Sequence, residues 1–354
     1  MPDEPAPRRR FGKNQRRILG GLGMVLVVGA VFVFLLPRIA DYRDVIDVIK
    51  ELDWVDAVVL VAATVLNLAT FAPPWMVAVP GLGFRQAFVL TQAATALSLV
   101  SPAGAAVGMA GSYTMLRSWG FSVVTVALAV AVTGIWNQFA NLVFPIVGLA
   151  LLTGVDQDHP ALRTAAIVGV VIVVVAIAAF ALALSSPRQA RSIGNLAARG
   201  ATRALRVLRR GPVTWNGESL ARFRVSALGL LRRRWHVLTL ATLAGHLTVF
   251  LLLLACLRAV EITGAEVSWI EAFAAWSLVR ILGAIPLTPG GLGVVELGLS
   301  GALVAFGASN ADAVAATLLY RSLTILPTLA LGLLAAATWR RLHPGERLEP
   351  EPEP

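Results

Sequence analysis

Residues 271–307 read EAFAAWSLVRILGAIPLTPGGLGVVELGLSGALVAFG, and the way this stretch folds decides the architecture of the chain. Two apolar segments, 271–287 and 291–306, meet at Pro286-Leu287-Thr288-Pro289-Gly290-Gly291-Leu292-Gly293. As helices rising ~1.5 Å per residue, the arms would be roughly 25 Å and 24 Å long. A bilayer core is about 30 Å thick and takes about 20 helical residues to cross. Each arm is therefore short for a vertical span. The Pro/Gly break frees backbone polar groups, which a membrane tolerates only where protein or a cavity surrounds them. The pattern predicts a re-entrant helical hairpin. It also carries Arg280 and Glu296, and ionisable groups at such depth point to function by default.

The rest of the chain places this hairpin in a membrane. It is 57% hydrophobic and 14% charged over 354 residues, with a mean hydropathy of +0.76. Repeated uncharged runs near 20 residues exclude an ordinary soluble domain. The lone Cys256 can form no internal disulfide. His159, His236, His246 and His343 lack metal-site spacing, so neither metal nor cofactor is expected. The net charge of +10 would suggest nucleic acid in a soluble protein. Here the bases flank apolar spans, and topology explains them without a nucleic-acid partner.

In chain order, a basic N-terminus (1–17) precedes a first span at 18–36, with no small-residue cleavage site after it. Residues 38–56 hold six acids against three bases; an amphipathic outer-face helix and a solvated connector are both open readings. Span two is 57–80, kinked at Pro73-Pro74. A broken hairpin at 86–118 then flanks Ser101-Pro102-Ala103-Gly104. Span three, 121–152, contains Asn137, Gln138 and Asn141. Span four is 162–184. Residues 186–235 hold twelve arginines and one acid, Glu218, and read as a cytoplasmic loop against anionic headgroups. The second membrane half, 236–339, comprises span five (236–257), the hairpin 271–307 and span six (312–338). A disordered tail, 340–354, follows. The expected fold is an all-α polytopic membrane protein: about six full spans plus two re-entrant or broken hairpins, or eight or more spans if the hairpins cross. Charge bias predicts that both termini are cytoplasmic.

The two broken stretches resemble each other. Ser101-Pro102-Ala103-Gly104 matches Thr288-Pro289-Gly290-Gly291, and Trp119-Gly120-Phe121-Ser122 matches Phe306-Gly307-Ala308-Ser309, both at an offset of 187. Gln86-Ala87-Phe88 and Glu271-Ala272-Phe273 match two residues out of step. Since the hairpins enter from opposite sides, the expectation is an inverted repeat. In transporters, paired broken segments of this kind form the substrate site near the midplane.

Pro289-Gly290-Gly291-Leu292-Gly293 is no Walker loop, because no Lys-Ser/Thr follows. Its glycines either permit close helix packing or aim free N–H groups and a helix N-terminus at an anion such as a lipid phosphate. Arg280 and Arg321 against Glu296 leave a net positive interior, which a phosphate would balance. The alternative is a buried Arg–Glu pair that holds the hairpin. The candidate substrate-binding residues are Arg280, Pro289, Gly290, Gly291, Gly293, Glu296 and Arg321, with Pro102, Gly104 and Asn137 from the first half. No Ser/His/Asp set, carboxylate dyad or metal cluster appears, so no catalytic residue is assigned.

At PLTPGGLGVVELGL, and at LLYRSLTILP (318–327), the chain resembles the membrane region of lysylphosphatidylglycerol synthases and the flippase-like membrane proteins that share it. The resemblance spans roughly 15–340 and implies a lipid-translocating membrane domain. It carries the family motif onto Pro289, Gly290, Gly291, Gly293, Glu296 and Arg321. The first hairpin departs from the charged version of many relatives, with SPAGAAVGM instead. In the synthases a soluble aminoacyl-transferase domain follows. Only the tail follows Arg341 here, so that activity is expected to be absent. The expected function is translocation of a phosphate-bearing lipid, with phospholipid and membrane as partners. The alternatives are secondary transport of a small polar solute, or a non-transporting partner role for a separately encoded lipid- or glycan-modifying enzyme.

Overall fold

The computed structural model describes residues 50, 52–101, 104–155, 160–207, 213, 216–284 and 289–342. The N-terminal segment with the expected span 18–36, residues 38–49 of the acidic stretch, Pro102, the centre of the acidic loop 153–160, Pro286, Leu287 and Thr288 of the second break, and the tail from His343 lie outside them. All regular structure among the described residues is helical. In chain order the α-helices are α1 (Trp54–Thr70), α2 (Pro73–Ala78), α3 (Phe84–Val100), α4 (Gly104–Ser118), α5 (Val123–Val155) and α6 (Pro160–Ser185). There follow α7 (Pro187–Val207), α8 (Gly217–Ala259), α9 (Trp269–Ala284), α10 (Val294–Phe306) and α11 (Asn310–Thr338).

Among the described residues, four stretches are long and apolar enough to cross a membrane: Trp54–Ala78, Val123–Gly154, Gly217–Ala259 and Asn310–Arg341. These are the helices of a membrane protein, and they coincide with four of the six expected spans. A fifth arises only if Ala166–Leu182 and Pro187–Arg203, bent by 119°, are counted as one. Helix α6 turns toward the bundle surface Val168, Val171, Val174 and Val175, each more than half exposed, which suits contact with lipid. Arg224 fastens the bend by donating to the α6 carbonyls of Leu184 (2.8 Å) and Ser185 (3.1 Å).

One boundary differs from expectation. The sequence pattern puts span five at 236–257 behind a loop, but α8 is a single 43-residue helix from Gly217. At ~1.5 Å per residue it is about 65 Å long, twice a bilayer core. Asn216 caps it by accepting from Glu218 N and Ser219 N, both at 3.1 Å. Arg232, Arg233 and Arg234 sit within it, because arginine is a good helix former and a charge marks a membrane side rather than a helix end.

Both predicted breaks are real. Helices α3 and α4 form the first broken hairpin, packed closely where Gly104 and Gly108 meet Ser98. Helices α9 and α10 form the second. Small residues let the hairpins dock on long helices: Gly332 of α11 accommodates Ala96 of α3, and Gly148 of α5 lies against Ala274 and Ser277 of α9. The hairpins also meet each other. Ala96 and Val100 of α3 pack with Leu292, Ile325 and Leu329, and Leu99 reaches Gly290 in the second turn. An aromatic cluster of Phe144, Phe250, Phe273 and Trp276 ties α5, α8 and α9 together, with ring centroids 5.0–6.0 Å apart.

Candidate functional site

Among the described residues, arginines enter two polar clusters inside this apolar bundle, one at the second break and one along α9. The break begins with a 3₁₀ turn, Pro289–Gly291. Gly290 (φ 61°) and Gly293 (φ 86°) take left-handed conformations that only glycine adopts without strain. A side chain at Gly290 would also meet Leu99 Cδ2 at 2.9 Å. Gly291 faces Gly283 and Val295.

Glu296, in the first turn of α10, folds back so that Oε2 accepts from Gly293 N at 2.6 Å. Its Oε1 accepts from Arg321 Nε at 2.5 Å. Arg321 NH2 donates in turn to Gly290 O at 3.0 Å. The pair is nearly dry, at 14% and 7% side-chain exposure for Arg321 and Glu296. It therefore joins α10, α11 and the turn in one closed circuit. A carboxylate at a helix N-terminus also suits the helix dipole. The expected free N–H groups at this terminus are reduced, because the chain's own carboxylate takes that of Gly293.

Arg280 belongs to the second cluster. Its NH2 donates to Asn141 Oδ1 at 2.7 Å and lies 2.6 Å from His246 Nδ1. A guanidinium has only donors, so His246 Nδ1 must accept. The imidazole is then neutral with its proton on Nε2, which faces Asn137 Oδ1 at 2.9 Å. The guanidinium carbon also sits 4.9 Å from the Trp276 ring centroid. Arg280 Nε is buried with no hydrogen-bond partner. Among the described residues no carboxylate lies within ion-pair distance of Arg280. Tyr320, buried and adjacent to Arg321 in sequence, is within electrostatic reach of both guanidinium groups.

The second cluster opens at the bundle surface. Asn137 and Gln138 are exposed, and Asn141 and Arg280 are half-buried. Asn141 Nδ2 donates to Gln138 Oε1 at 3.3 Å. An apolar helix thus presents a polar stripe that ends on a half-buried cation whose Nε is fully enclosed.

The structure sorts the candidates into groups. Gly290, Gly293, Glu296 and Arg321 come together at the break, with Pro289 opening its turn and Gly291 inside it. Arg280 and Asn137 come together elsewhere, bridged by His246. Gly104 opens α4 and packs against the Ser98 carbonyl. Pro102 lies outside the described residues. Sequence reasoning missed His246 as a site residue, because it weighed histidines only for metal spacing. An ionisable residue in the middle of an apolar run was the available signal.

The family described as Lysylphosphatidylglycerol synthase TM region matches residues 22–332. A comparison with curated proteins finds no match. The family match covers most of the chain and both clusters, and the protein belongs to that family.

Proposed function

We propose that the protein moves a phosphate-bearing lipid between the leaflets of a membrane. The observation that carries this reading is Arg280: a cation inside the bundle with neutral partners, reached from the surface along Asn137, Gln138 and Asn141. A headgroup could follow this stripe while its acyl chains stay in lipid, which avoids stranding a charge in hydrocarbon. The meeting of two broken hairpins supports the reading, since broken helices in transporters line substrate sites. An inverted relation between the halves belongs to the same proposal.

The test is a leaflet-resolved assay with labelled phospholipids in proteoliposomes. The expected result is faster exchange between leaflets than in protein-free vesicles. Equal rates would reject the reading, and gradient-driven uptake of a polar solute without lipid movement would replace it. Orientation is tested separately. A cysteine at Glu266 should be labelled from outside intact cells, and one at Ser219 should not, because the Arg-rich segment stays cytoplasmic.

A further inference from the structure

The two arginines inside the bundle are not equivalent in the partners they hold. At the break, Arg321 spends Nε on Glu296 and NH2 on Gly290 O, and the α10 terminus has its own carboxylate on Gly293 N. An incoming phosphate would have to displace Glu296 from both. Among the described residues nothing of the kind is in place at Arg280. Asn141 Oδ1 and His246 Nδ1 fix the guanidinium without neutralising it, and Nε remains unpartnered. A half-buried cation with an enclosed, unpartnered Nε and no counter-charge among the described residues is costly, so a site that keeps one suits an anion from outside the chain.

We infer that Arg280, held by Asn141 and His246, is the seat of a phosphate-type oxyanion, and that the Glu296–Arg321 pair pins the hairpin rather than holding the ligand. This deepens the lipid reading and rests on it for the source of the phosphate. Guanidinium geometry suits two oxygens of a phosphate. The polar stripe of Asn137 and Gln138 supplies further amide groups along the approach. His246 contributes by its neutral form: a second proton on Nδ1 would oppose the Arg280 N–H and release the arginine.

The sequence offers a way to fill the seat from within. Asn141 Oδ1 already lies 2.7 Å from Arg280, so Asn141→Asp places a carboxylate there with almost no change in shape. The full chain in neutral detergent is titrated calorimetrically with dihexanoyl phosphatidylglycerol and, separately, with sodium phosphate. The expected result is binding of the short-chain lipid that weakens at least tenfold in Asn141→Asp and in Arg280→Gln. Asn141→Asp should melt no lower than the parent, and the double variant Glu296→Gln/Arg321→Gln should keep its affinity. Binding of sodium phosphate alone would support the seat and overturn its lipid ligand. Unchanged affinity in Asn141→Asp would overturn the seat, whether or not Arg280→Gln folds. If the lipid binds at Arg280 yet leaflet exchange is not accelerated, the seat stands and translocation falls.

Discussion

The cluster at the second break and the cluster around Arg280 use the same chemistry to opposite ends. Both place an arginine inside an apolar bundle, and both borrow acceptors from neighbouring helices. At the break the acceptors include a carboxylate, so Arg321 and Glu296 neutralise each other and lock α10 to α11. Along α9 the acceptors are an amide oxygen, an imidazole nitrogen and an indole face, none of them charged. A buried pair adds little net stability but is expensive to break by halves. A buried lone cation is poorly stabilised and gains from any anion that arrives. The first arrangement suits a fastener, the second a receptor.

Substitutions should separate the two, beginning with the largest effect. Arg321→Gln strands Glu296 and should cost about 3–5 kcal/mol of stability, read by denaturation in detergent. Adding Glu296→Gln should restore most of that loss, since the glutamine oxygen can still accept from Gly293 N. No recovery in the double variant would mean that the pair is not a fastener. Gly290→Ala should cost about 1–2 kcal/mol for its left-handed backbone alone. Leu99→Ala in the same chain should return the part due to the Leu99 contact. Arg280→Gln should shift stability by only about 1 kcal/mol or less, because losing the Trp276 contact and the burial cost offset each other. A loss as large as that of Arg321→Gln would erase the distinction between the clusters.

The smallest effect belongs to an exposed carboxylate outside both clusters. Glu266, between α8 and α9, accepts from Thr263 N at 2.7 Å and from Thr263 Oγ1 at 2.9 Å. The backbone bond first, then the hydroxyl, hold its carboxyl below the usual range. Its small stabilisation is therefore present above the unfolded-state value and is lost as pH falls through the lower folded value. Glu266→Gln should slightly flatten the acid side of a melting-temperature profile and leave the neutral side alone.

Much of this was legible in the sequence, and the limits are instructive. Apolar runs marked the four spans that the described helices form, and Pro289-Gly290-Gly291 marked the break, because a helix cannot pass such residues unchanged. Arg280, Glu296 and Arg321 were visible as ionisable residues within the apolar runs of the second half, two bases against one acid. Which arginine paired with Glu296 was not. That depends on α10 and α11 packing side by side, and on α9 turning its arginine toward α5 and α8 instead. Asn141 lies 139 residues from Arg280 and His246 lies 34 away, so no local pattern links them. The join between the Arg-rich segment and span five was hidden for another reason. Charge reports the side of the membrane, whereas helix continuity follows backbone propensity, which arginine does not interrupt.

The measurement closest to the central claim is the lipid that stays bound to the purified protein, counted by native mass spectrometry. The parent chain should retain one phosphate-bearing lipid, and so should the Glu296→Gln/Arg321→Gln variant. Asn141→Asp, equally folded, should retain none, because its own carboxylate then neutralises Arg280. Equal retention by the parent and by Asn141→Asp would contradict the account.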